Sequence, residues 1–249
     1  MSDQPRRPTP KDLLAAIALT VSFAAASAPA PEEKEPAETC SVPFQRTPTS
    51  VGTAQVLSIS LHTFAGSRWS QEEVLAAGVD AAGLLAQCGV FLARAELCVV
   101  EAPRRFHFYS TGVSRELLRR MPVSKPAVFF AEDTHNRPAY DAEAIGRGNA
   151  AGRPELADTV WVVHGARDLP LVLAHELVHV LSDSGEHSEA PGNLMREDTS
   201  TSATHLSESQ CERLRSRAAA NGLLWPAAQE HTRSAPDLVE SVRSPRPGL

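Results

Sequence analysis

Apolar and polar residues take turns through Val56-Leu57-Ser58-Ile59-Ser60-Leu61-His62, the period of a half-buried strand. The period then lengthens. Val74, Leu75, Ala81, Leu84, Leu85 and Cys88 fall at helical spacing, Ser70 and Glu73 form a capping-box pair ahead of them, and Gly89 closes the run. A second strand is predicted over 90–100 and carries Cys98. Residues 114–120 read as a short helical turn stopped by Pro122, with Arg115, Arg119 and Arg120 on a solvated face. Ala127-Val128-Phe129-Phe130-Ala131 is continuously apolar, as a buried strand is. A polar connection containing Gly and Pro fills 132–156, and Thr159-Val160-Trp161-Val162-Val163-His164 is the next strand. Leu171, Val172, Ala174, Val178 and Leu181 then give a helix an apolar surface. Asp168 is its expected N-cap, Pro170 stands in its first turn, and Ser182-Asp183-Ser184-Gly185 ends it, with Gly185 free to take positive φ. Ser207 and Gln210 form a second capping box, opening a last helix that runs to about Asn221-Gly222. The predicted fold is mixed α+β: a twisted sheet with helices behind it.

The ends of the chain break these patterns. Arg6, Arg7 and Lys11 precede an Ala-rich apolar run ending in Ala26-Ser27-Ala28, so 1–30 reads as a signal peptide. Residues 31–50, rich in Pro, Glu, Thr and Ser, read as a flexible leader, 51–225 as the folded domain, and 226–249 as a disordered tail. A secreted or periplasmic location follows, with no stable membrane insertion after signal removal. A length of 249 residues and a hydrophobic fraction of 42% suit one domain with tails. A net charge of −6 and the absence of a basic run argue against nucleic acid as a partner. Four cysteines in an exported chain make two disulfides; three pairings are open, and Cys211 with Cys88 is our guess.

The candidate chemistry lies in His175-Glu176-Leu177-Val178-His179. Residues four apart stack on one helix face, so His175 and His179 can present two imidazole nitrogens to one zinc ion. Glu176 projects nearby, where its carboxylate can take a proton from a water that the metal has acidified. His187 follows the predicted helix stop, and a chain reversal there could return it to the metal as a third ligand.

With Asn193-Leu194-Met195 downstream, these residues resemble the metzincin branch of zinc metallopeptidases, in which a third His follows the helix and a Met in a tight turn lies beneath the metal. The resemblance implies a zincin/metzincin-like fold with a central zinc-binding helix. It implies zinc held by His175, His179 and His187, with Glu176 as the catalytic residue and Met195 in the Met-turn. It also implies that strand 159–164 is a sheet edge able to pair with an extended substrate. The family pattern has Gly three residues, and the third ligand six residues, after the second His. Here Ser182 and Gly185 stand at those places and His187 comes eight after, so Asp183 and Glu197 stay open as alternative third ligands. Glu197 also stands where some relatives carry a Tyr that aids the transition state. Cys40-Ser41-Val42-Pro43 faintly resembles the latency segment of some zinc peptidases, a role that a disulfide at Cys40 would preclude.

The expected activity is that of an exported zinc metalloendopeptidase, a hydrolase acting on peptide or protein substrates. Two alternatives are an exported zinc-binding recognition protein without catalysis and an amidase acting on cell-wall peptides.

Overall fold

The computed structural model describes residues 33–46, 54–134, 153–197 and 200–227, with the backbone alone at 144–147. The expected signal peptide and all of the tail beyond Ala227 lie outside the described residues.

A mixed sheet organises the rest. Its strands are β1 (Ala37–Gln45), β2 (Gln55–Phe64), β3 (Val90–Glu101), β5 (Ala127–Ala131), β7 (Ala144–Arg147), β8 (Thr159–Val163) and β9 (Leu224–Pro226). The spatial order is β1-β3-β2-β5-β8-β7, with β9 beside the start of β2. The inner strands β3, β2, β5 and β8 run parallel, whereas β1, β7 and β9 pair antiparallel. Short strands β4 (Phe108–Tyr109) and β6 (Asp133–Thr134) form a separate pair.

Among the described residues the helices are α1 (Gln71–Leu85), α2 (Thr111–Arg120), α3 (Leu169–Ser182) and α4 (Glu208–Ala220). Parallel strands need covered faces, and both faces of this sheet are covered. Leu57, Ile59 and Leu61 of β2 join Val128 and Phe130 of β5 in one cluster with Val74 of α1, Leu173 and Leu177 of α3, and Leu214 of α4. Phe64, Phe129 and Trp161, from the alternate positions, pack with Leu117 and Leu118 of α2 on the opposite face. β2 is therefore buried on both sides rather than half-buried, because it lies at the centre of the sheet.

Local chemistry explains most boundaries. Ser70 Oγ accepts the Glu73 N–H at 3.0 Å, and Gly89, at φ 71°, ends the 3-10 turn that extends α1. The reciprocal capping box is present at Ser207 and Gln210. α2 starts three residues earlier than expected because Ser110 caps it, its side chain accepting from the Val113 N–H. Arg115 and Arg119 pair with Glu155, and Arg120 with Glu116, so that basic face is ion-paired.

Three expectations change. Ala37–Gln45, assigned to a flexible leader, is strand β1, paired with β3 and bridged to it by Cys40–Cys98. The strand before α3, expected to be a sheet edge, is not one. β8 lies between β5 and β7, because the connection 132–156 returns as antiparallel β7 and takes the edge itself. The ends of α3 also differ. Asp168 adopts φ 51° and makes no side-chain cap bond, its carbonyl instead accepting the N–H groups of Leu171 and Val172. At the other end Asp183, at φ 49°, takes the left-handed position expected of Gly185. Asp tolerates that region better than most side chains. The guessed Cys88–Cys211 bridge is present and ties the end of α1 to α4.

Candidate metal centre

α3 places His175 and His179 one turn apart, with their ring centroids 4.7 Å apart. Both rings are fixed from behind. His175 Nδ1 donates to the Leu194 carbonyl at 2.8 Å, and His179 Nδ1 donates to the Ser184 carbonyl at 2.7 Å. A carbonyl only accepts, so each Nδ1 carries the proton and each Nε2 keeps its lone pair. The two Nε2 atoms lie 2.9 Å apart, and His187 Nε2 lies 3.3 Å from that of His179.

Lone pairs do not hydrogen-bond to one another. Protonating Nε2 is disfavoured as well: burial is the largest influence on both rings, lowering His175 and pushing His179 down to about 4 from its ordinary 6.5. Two of the three rings therefore present lone pairs where the Nε2 atoms converge, as ligands of one cation do. A tetrahedral zinc ion with bonds of about 2.0–2.1 Å to nitrogen holds its donors roughly 3.3–3.4 Å apart. The observed separations of 2.9 and 3.3 Å are close to this, so His175, His179 and His187 fit such an ion. The group includes neither Asp183 nor Glu197. Asp183 instead ends α3, its N–H bonding back into the last turn. His175 is buried and His187 exposed, so the cluster opens to solvent on its third member.

The loop after α3 owes its path to backbone bonds. The Ser188 N–H donates to the Met195 carbonyl at 2.7 Å, holding the segment next to His187 against the turn. Glu186 pairs with Arg213 of α4. The turn is pinned by α4 and the strand-like residue His205. Asn193 Oδ1 accepts the Met195 N–H at 2.9 Å, its Nδ2 donates to Gln210 Oε1 at 2.8 Å, and the Leu194 N–H donates to the His205 carbonyl at 2.7 Å. Met195 itself is 2% exposed and belongs to the core cluster beneath α3.

Glu176 sits half-buried on α3, directly after His175 and three residues before His179, a spacing that makes neighbours on a helix surface. Sequence reasoning identified these side chains but missed the carbonyls of Ser184 and Leu194 that orient two of them. It also missed Asn193 and Gln210, which hold the turn. Gln210 was visible only as a capping residue; its Oε1 serves both the Ser207 N–H and Asn193. Glu132, which follows β5, is committed to Arg68, accepting from its N–H at 3.0 Å and its Nε at 2.8 Å.

No protein-family model matches the chain, and no curated protein matches it. Among solved structures it is similar to metalloproteinase-II from Bacteroides fragilis, at 16% identity and a TM-score of 0.48. The match covers 70% of this chain and 57% of that one, so the chain spans little more than half the length of that structure. A likeness this distant carries no inference about activity.

Proposed function

We propose that this chain is a zinc-dependent metalloendopeptidase. One observation carries the reading: three imidazole Nε2 atoms converge at 2.9 and 3.3 Å, with two of the rings locked as Nδ1–H tautomers. Imidazole nitrogens in this number and arrangement suit zinc in a catalytic site, where three protein ligands leave a position open. Zinc there supplies Lewis acidity, lowering the pKa of water and polarising a carbonyl oxygen.

The chain's own residues do the rest. His175 and His179 stay neutral and oriented because their Nδ1–H groups are engaged by the Leu194 and Ser184 carbonyls. Glu176 accepts a proton from the attacking water and returns it to the leaving amine, as a general base and then a general acid. Met195 floors the site by packing. The outer edge of β7, which among the described residues pairs only with β8, would take an extended peptide, the role that the resemblance implied for the strand at 159–164. Two disulfides suit an oxidising compartment outside the cytoplasm, and no helix among the described residues is long and apolar enough to cross a membrane. Export through a signal peptide at 1–30 is part of the same proposal.

The test is metal analysis of the purified chain together with digestion of a broad peptide library. One zinc per chain and cleavage that is lost in Glu176→Gln, with zinc retained, is the expected result. Unchanged turnover in a zinc-loaded Glu176→Gln chain would remove Glu176 from the chemistry. Zinc without any cleavage would instead make the site a binding one.

A further inference from the structure

On the sheet face opposite α3, three strands bring a second donor set together. Cys40 of β1, Cys98 of β3 and His62 of β2 are register partners in one row across the sheet, and Glu38 stands two residues from Cys40 on the same side of β1. Ligand atoms of Glu38, His62 and Cys98 all lie within 4.8 Å of one another.

His62 is 1% exposed and its protonation pattern can be worked out from its neighbours. The Ser60 hydroxyl has one proton and donates it to the Ser124 carbonyl at 2.7 Å. At 2.9 Å, His62 Nε2 must then be the donor to Ser60 Oγ. His62 Nδ1 lies 3.0 Å from Glu38 Oε2, a spacing that suits an Nδ1–H bonded to the carboxylate or two donors turned toward one metal ion. Both atoms are buried, and neither has an aligned hydrogen-bond partner. Both are metal-donor atoms, and a metal ion could take the place of a proton between them.

The neighbouring sulfur atoms are tied up in the Cys40–Cys98 bridge. That bridge is not equivalent to the other. Cys88 and Cys211 are both buried, whereas Cys40 is exposed and only Cys98 is buried. Cys40 is therefore the half-cystine of the two bridges that lies nearest a thiolate in solvent.

We propose that Glu38, Cys40, His62 and Cys98 form a redox-gated metal site, which takes a thiophilic divalent cation such as Zn2+ once a thiol reductant has opened the Cys40–Cys98 bridge. In the first step a reductant thiolate attacks Cys40 Sγ; the S–S bond breaks, a mixed disulfide forms, and Cys98 leaves as thiolate and takes up a proton. A second reductant thiol displaces Cys40, so that two reductant thiols are oxidised to one disulfide and the bridge is reduced to two thiols. Zn2+ then displaces both thiol protons to water. The two sulfurs need part only to about 3.8 Å, the separation spanned by two zinc–sulfur bonds of about 2.3 Å at a tetrahedral ion. His62 Nδ1 and a Glu38 oxygen complete four donors. The ion replaces the bridge as the fastening of β1 to the sheet.

Addition of Co2+ to the metal-free full-length chain tests this, because a cobalt–thiolate bond gives a near-ultraviolet charge-transfer band and the imidazole cluster on α3 does not. The oxidised chain shows no such band. Cys40→Ser frees Cys98 without any reductant and gives the band, and Cys40→Ser with His62→Ala loses it. The band is unchanged when His175→Ala and His179→Ala remove the α3 cluster, so this result is independent of the peptidase reading. If Cys40→Ser does not fold, the wild-type chain treated with a thiol reductant serves instead, with peptide mapping to establish that Cys88–Cys211 is intact. A chain with a titratable Cys98 thiol and no band overturns the proposal, as does a band that survives His62→Ala.

Discussion

Asn193 is 3% exposed and its side-chain bonds go to Met195 and Gln210 rather than to the imidazole cluster, yet it should control metal affinity. Its amide makes three bonds: Oδ1 accepts from the Met195 N–H at 2.9 Å and from Gln210 Nε2 at 3.2 Å, and Nδ2 donates to Gln210 Oε1 at 2.8 Å. These fix the turn whose Leu194 carbonyl orients His175 and whose Met195 carbonyl holds the segment beside His187. Asn193→Ala removes all three bonds, at about 1 kcal/mol net each, so the folded state should lose about 3 kcal/mol. A released Leu194 carbonyl no longer holds the His175 ring, and loss of such an outer partner lowers metal affinity about 10–100-fold. Urea unfolding of the metal-free chain measures the first effect, and competition against a chelator measures the second. Asn193→Asp keeps the acceptor for the Met195 N–H and should retain more of the affinity than Ala does. If Asn193→Ala lowers the urea midpoint while zinc affinity stays at the wild-type value, the turn does not position His175 and the reasoning fails.

Other outcomes can be checked in the same preparations. Cys88 and Cys211 close a loop across a sequence separation of 123, so replacing both by Ser should destabilise the chain by about 4–5 kcal/mol in the chain-entropy account, read from urea unfolding. A Cβ at Gly78 would come within 2.8 Å of Leu61 Cδ1, where α1 crosses β2. Gly78→Ala should therefore cost about 1–3 kcal/mol in overpacking, offset by about 1 kcal/mol of helix propensity, and a thermal melt that rises instead would show that Leu61 yields freely. His179 is depressed in the folded chain, so between its ordinary 6.5 and about 4 the unfolded state holds the extra proton. Stability of the metal-free chain then falls as pH drops through that window, and the fall should be shallower in His179→Gln; a wild-type slope no steeper than the variant's would refute the assignment.

How much of this was legible in the letters depends on where the signal resides. α1, β3, β5, β8, α3 and α4 carry apolar periodicity or caps, and their positions follow from Ser70, Gly89, Ser207 and the runs between them. β1 carries no such signal. Seven of its nine positions are exposed and the other two are only partly buried, so no apolar face alternates toward the core. Its pairing rests on one antiparallel ladder and on Cys40, whose partner no local pattern can name. β7 is likewise silent, being four residues, Ala-Ile-Gly-Arg, inside a polar connection. Missing it misplaced the sheet edge, because whether β8 is inner or outer is decided by a strand that composition does not reveal.

The third histidine shows the limit from the other side. Counting residues made His187 suspect, since its spacing of eight after His179 departs from the pattern it resembles. Spacing is a proxy for path, and the path is set by φ. Asp183 turns left-handed at the end of α3, and the Ser184 N–H returns to the His179 carbonyl at 3.2 Å while the Ser184 carbonyl accepts from the His179 ring. The extra residues are therefore taken up in a closed turn around His179 itself. Ser188, bonded to Met195, then sets where the chain goes next, and His187 comes within 3.3 Å of His179. A longer loop reaches the same point because its added length is spent holding the second histidine. Asp183→Pro, which forbids that left-handed turn, should thus disturb His179 and His187 together, detectable as loss of zinc with α3 still formed by circular dichroism; zinc retained at full affinity would show that the loop finds the site without it.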